Sequence, residues 1–160
     1  MTDLKDLPAH LQILSASDWQ KLFDLLPVME MTKEFGTMPR MKKNEKGVFI
    51  FPSMEWAPVT TEFFKVVHEL GIVPVFDWVD WEEGRLMLDN KDQDFSASDI
   101  ITLCKLFTVM IRADRFMDGY LVGQLKRKNV LTLFGVTLRK VERQHKTPKR
   151  LVHISIITKR

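Results

Sequence analysis

From Ile100 onward the chain sets Ile100, Leu103, Phe107 and Ile111 on one helical face, at about 100° per residue. A stripe this long is stable only when other elements cover it, which demands a packed, mainly α-helical domain. Ser96 or Ser98 is placed to cap its start, and the pattern runs on toward Asp118, making this the longest helix expected. Gly119 breaks it or lets it turn. The core is available: the 160 residues are 45% hydrophobic and include eleven Phe and four Trp. A chain of that size hides roughly two-thirds of its unfolded surface on folding, so neither a metal nor a disulfide is needed to hold it.

The remaining elements follow from the same spacing rules. Ser17 and Asp18 read as the start of a first helix carrying Trp19, Leu22, Phe23 and Leu26, with Pro27 bending or ending it. Residues 32–47 read as an exposed basic loop and 48–51 as a short extended segment. Pro58 opens a helix through Phe63, Phe64, Val67 and Leu70 to a C′ glycine, Gly71, and residues 72–76 are then extended. Asp77 followed by Asp80 resembles a capped start for a helix bearing Trp78, Trp81 and Leu88, weakened by Gly84. A loop spans the DNKDQD run. A short helix covers residues 121–128 and ends at Asn129. Residues 130–143 form one more helix, with Val130, Phe134, Leu138 and Val141 in phase, or a strand, an alternative that Thr132, Gly135 and Thr137 keep open. LVHISIIT, residues 151–158, alternates with the period of a half-buried strand whose simplest partner is 48–51. The expected architecture is a single-domain helical bundle with a small two-stranded β element. Residues 1–145 form the helical domain, and residues 146–160 add a basic linker and a C-terminal strand packed on it.

Location and partners are narrowed by charge and cysteine. The lone Cys104 lies in an apolar stretch and reads as an inert core thiol, consistent with a reducing compartment. The start MTDLKDLP lacks the features of a secretion signal and no apolar run approaches a membrane span, so the expectation is a cytoplasmic protein without membrane contact. The net charge of +3 hides a split: residues 1–122 hold 13 Lys+Arg against 20 Asp+Glu, whereas residues 123–160 hold 11 Lys+Arg against one acid, Glu142. A net of −7 is thus followed by +10, a polarity that steers a polyanion or an acidic partner to one end.

Two constellations invite a chemical reading. In RADRFMDG, residues 112–119, Asp114 and Asp118 fall in helical phase with Leu103, Phe107 and Ile111. Inward carboxylates need donors, and Arg112, Arg115, Trp78 and Trp81 are suitable kinds. The structural reading is a polar network clipping FDWVDW, residues 76–81, onto this helix. The functional reading is a pocket floor in which Arg112 or Arg115 holds an anion. Trp78 and Trp81, three residues apart, read first as core and otherwise as a grip for a base or a peptide, and Asp77 reads first as a cap. Metal and nucleophile signatures are missing: His10, His68, His145 and His153 form no HExxH pair, and no phosphate-binding glycine loop occurs. His68 suits a helix C-terminus, and Gly119 with Gly123 reads as a spacing that permits close helix contact. No cofactor is implied. Arg139, Lys140 and Arg143 group near the end of the last helix, where they suit phosphate neutralisation without sequence readout.

The two motifs at this separation resemble the bacterial family catalogued as domain of unknown function 6508, through Phe76, Asp77, Trp78 and Trp81, then Arg112, Ala113, Asp114, Arg115, Phe116, Gly119 and Leu121. The likeness covers roughly residues 17–140. It departs at Val79, where the family pattern has proline, and the strand-like end is additional. The resemblance supports the element order and implies no reaction. Three functions remain in competition. The leading one is a non-catalytic binding module whose basic C-terminal region takes nucleic acid or an acidic protein. The alternative is a small enzyme whose pocket of Asp77, Asp114, Asp118, Arg112 and Arg115 takes a phosphorylated or nucleotide substrate, with Mg²⁺ if the carboxylates converge. A third is a homodimer pairing residues 151–158 between chains.

Overall fold

Nine of the fourteen residues of helix α6 (Ile100–Ala113) are buried in the computed structural model, which describes residues 2–146. The stripe seen in sequence is therefore only part of what is covered, and α6 is enclosed on nearly every side. Its cap is Asp99, which accepts the Thr102 N–H at 2.7 Å. Ser96 instead turns back to Asp94, donating both its N–H and its hydroxyl at 2.8 Å.

Two helices meet α6 through aromatic rings. Phe63 of α4 (Pro58–Glu69), Phe107 of α6 and Phe134 of α8 (Lys128–Lys146) are fully buried, with centroids 5.3 to 6.0 Å apart. Residues 130–143 are thus helical, settled by burial of Val130, Leu133, Phe134, Val136, Thr137 and Val141 along one face. The β-branched Thr137 is accommodated because its hydroxyl donates to the Leu133 carbonyl at 2.9 Å. At 19 residues α8, not α6, is the longest helix described.

Around this centre, α1 (Leu7–Ile13) is an element the apolar pattern did not suggest; it buries Leu7 and carries Pro8 in its first turn. His10 donates from Nε2 to the Leu70 carbonyl at 2.7 Å, satisfying the end of α4. Helix α2 (Ala16–Phe23) starts two residues before the expected position, at a reciprocal cap between Ser15 and Asp18. Pro27 does not end it. The chain bends at Asp24 and Pro27 falls in the first turn of α3 (Leu25–Met31), where no intrahelical N–H is required. Pro58 and Gly71 bracket α4 as expected, Gly71 at φ +64°. Residues 72–76 form no strand: the chain bends at Val73 and Phe76, and Val75 makes a single parallel bridge to Asp3.

The segment expected as a loop holds strands. β1 (Gly36–Thr37) pairs antiparallel with β4 (Glu55–Trp56), and β2 (Lys42–Lys43) pairs with β3 (Phe49–Ile50), Lys42 opposite Ile50 and Lys43 opposite Phe49. The fold is thus mainly α with two small β pairs rather than one. The described partner of residues 48–51 is β2, because Asn44 closes a tight turn: its side chain accepts the Lys46 and Val48 N–H groups, and Gly47 takes φ +75°. The expected strand at 151–158, and with it the dimer it was to form, lies outside the described residues. Two short helices, α5 (Glu82–Asp89) and α7 (Tyr120–Lys126), complete the order. No helix among the described residues is long and apolar enough to cross a membrane.

Candidate functional site

FDWVDW is a loop, not a helical turn. Helix α5 begins only at Glu82, with Trp81 at the N-cap position and no side-chain cap, so Asp77 does not cap it. Asp77 and Asp80 are exposed. The reason lies in Gly84, where an added Cβ would stand 2.2 Å from the Trp81 ring. The indole folds back over the first turn of α5, into space that only glycine leaves open.

The ring also meets α6. Lys105 of α6 places its ammonium 3.8 Å from the Trp81 ring centre and 5.0 Å from that of Phe76, while Phe76 and Trp81 meet edge to face at 5.8 Å. Trp78 tilts against Phe116 at 6.0 Å. The two sequence motifs do come together, therefore, through the Trp78–Phe116 ring contact, while Lys105, which lies in neither motif, ties Phe76 and Trp81 to α6. Lys105 escaped the sequence reading; its one signal is a lone cation within the apolar run LCKLF.

The helical phase that placed Asp114 and Asp118 together fails because α6 ends at Ala113, with Asp114 as its C-cap. Asp114 is half-buried, and its Oδ1 accepts the Leu121 N–H at 2.8 Å, one of the open amides at the start of α7. Gly119, at φ +85°, reverses the chain between them. Burial pushes the Asp114 carboxyl above the usual carboxylate range, the Leu121 amide acts against this, and the charge of Asp118 adds to it. Asp118 is exposed and reaches a different segment, accepting the Met54 N–H at 3.0 Å beside β4. Each acid thus holds a backbone amide, Asp114 that of Leu121 and Asp118 that of Met54.

Arg115 is exposed and Arg112 half-buried. Among the described residues no His, Cys, Asp and Glu group is placed to hold a metal ion. A cleft of about 370 Å³ includes Met54 in its lining, but none of Asp77, Asp114, Asp118, Arg112 or Arg115. Cys104 is fully buried, and burial pushes its thiol far up, which keeps it protonated and inert. The glycine pair is not a helix contact: Gly119 is crowded by the Met54 methyl, whereas Gly123 faces open space. His68 donates to the Phe64 carbonyl at 2.8 Å and packs on that ring.

On α8 the basic residues occupy a separate surface. At about 100° per residue, Arg139, Arg143 and Lys140 span an arc of roughly 100° that overlaps the edge of the buried face at Val136, with Glu142 outside it. Arg139 and Arg143 are exposed and Lys140 half-exposed. Arg127 is committed elsewhere, donating to the Leu88 carbonyl at 3.0 Å and pairing with Asp89 at 3.5 Å, which ties the end of α5 to the start of α8.

These features define a mainly helical domain in which an aromatic loop is clamped on a central helix and two small β pairs precede α4. The chain matches the model of a family of unknown function, DUF6508, over residues 14–144, and it belongs to that family. No curated protein and no solved structure matched the chain.

Proposed function

We propose that the protein is a non-catalytic binding module that uses its basic C-terminal region for nucleic acid or an acidic protein partner. The observation that carries this is the grouping of Arg139, Lys140 and Arg143 on one flank of α8, whose adjoining face is anchored in the core by Phe134, Thr137 and Val141. Charges on a rigid helix are presented together and cost little ordering entropy when they meet phosphates or carboxylates. The preceding 122 residues carry a net of −7 and the rest +10, so an anionic partner is steered toward this end.

The test compares wild type with the triple variant Arg139→Gln, Lys140→Gln, Arg143→Gln, using a labelled DNA duplex and poly-glutamate as probes over a series of salt concentrations. Circular dichroism melting confirms that the variant folds. Binding of either probe should weaken steeply with salt, and for the duplex the log–log salt slope should fall by about 2 to 3 in the variant. Equal affinity and slope in both proteins would remove α8 from the reading.

A further inference from the structure

The β2–β3 ribbon leaves an unusual surface in water. Val48, Phe49 and Ile50 are each more than half exposed and Phe51 is 81% exposed. The same stretch, residues 38–54, carries Arg40, Lys42, Lys43 and Lys46 against a single acid, Glu45. At the ribbon's base the 370 Å³ cleft lies between Pro39 and Pro52, with Ile50 and Met54 as apolar lining, Arg40 and Lys42 supplying positive charge, and Glu55 also in its wall. Lys43 stands 4.7 Å from the Phe49 ring centre, so a phosphate-binding charge and a ring face are neighbours.

We propose that this ribbon is a contact surface for single-stranded nucleic acid, with bases stacking on Phe51 and Phe49 or entering the cleft and phosphates meeting Arg40, Lys42 and Lys43. The inference rests on the nucleic-acid branch of the function proposed above and narrows it to single strands. A single strand offers a flat apolar face and a negative charge in every repeat; a duplex conceals its bases, and an acidic peptide carries rings only where its sequence places them. The apex of the ribbon, Asn44 to Gly47, is polar while Phe49 and Ile50 lie on its opposite faces below the turn, the opposite of what insertion into a lipid surface requires. A symmetric pairing of two ribbons sets like charges against each other.

The experiment measures fluorescence anisotropy of a labelled oligothymidylate, about a dozen nucleotides long, and of a duplex of equal length. The proteins are wild type, the double variant Phe49→Ser, Phe51→Ser, and the α8 triple variant. Both phenylalanines are exposed, so the ribbon variant should melt as wild type does. The expected result is tighter binding of the single strand than of the duplex, and a loss of about ten-fold or more for the single strand alone in the ribbon variant. Unchanged single-strand affinity in that variant, or equal affinity of wild type for both probes, overturns the ribbon site while leaving the α8 reading intact. A loss in the ribbon variant with none in the α8 variant supports the ribbon and removes α8 from nucleic-acid binding, leaving it the acidic-partner branch that poly-glutamate tests. Failure of wild type to bind either oligonucleotide overturns the ribbon proposal and the nucleic-acid branch together, leaving poly-glutamate binding to judge the acidic-partner branch. Sedimentation with anionic vesicles, or a solution mass that falls in the ribbon variant, would then identify a lipid surface or a second copy as what covers the ribbon.

Discussion

Gly84 and Gly123 are both helical glycines, and they should respond to alanine with opposite sign. Removing glycine from a helix interior gains about 0.5 to 1 kcal/mol when the new methyl meets nothing. Gly123 has no atom within 4 Å of the added Cβ, whereas at Gly84 that position is occupied by the Trp81 ring. Gly123→Ala should therefore stabilise the protein in urea unfolding by roughly that amount. Gly84→Ala should destabilise it and shift the tryptophan emission to longer wavelength as Trp81 is pushed off Lys105. Equal stabilisation by both would mean that the indole does not fold over α5. In the sequence Gly84 looks like a flaw in a helix, because spacing along a chain does not show a ring three residues earlier turning back.

At the joint between α6 and α7 one carboxylate serves as acceptor and as a buried charge, and two substitutions separate these roles. Asp114→Asn keeps an oxygen for the Leu121 N–H and removes the charge that burial disfavours. Asp114→Ala removes both and leaves the amide unpaired, a loss of about 1 to 3 kcal/mol. Because its folded-state affinity for a proton is raised, Asp114 makes the folded protein bind more protons than the unfolded chain just above the usual Asp range of about 4. Stability contributed at this site therefore falls as pH rises through that window. Asp18 and Asp94, held below the usual range by Ser15 and Ser96, act with the opposite sign. The readout is accordingly the difference between wild type and Asp114→Asn in urea unfolding, from about pH 4 to about pH 7. The Asn variant should gain relative to wild type as pH rises, and a constant difference would place the carboxylate in water.

For the whole molecule, stability hinges on the three rings that join α4, α6 and α8. Phe134→Ala should cost about 3 to 5 kcal/mol, a large share of the roughly 5 to 15 kcal/mol that holds a domain together. A loss below about 1 kcal/mol in chemical denaturation would mean that α8 is not seated against Phe63 and Phe107. The core positions on α4, α6 and α8 were legible from spacing alone, since helical periodicity is local and each apolar stripe announces a buried face. The sequence by itself determined the helical class, the Pro58 and Gly71 boundaries, the inert Cys104 and the basic C-terminal charge. Only the tertiary structure decided where the motif residues act. Asp118 meets an amide 64 residues away, one indole meets both Lys105 and Gly84, and β2 pairs with β3 to form the ribbon. These contacts depend on where helices stop and how loops fold back, and a phase computed along α6 loses its meaning once the helix has ended at Ala113.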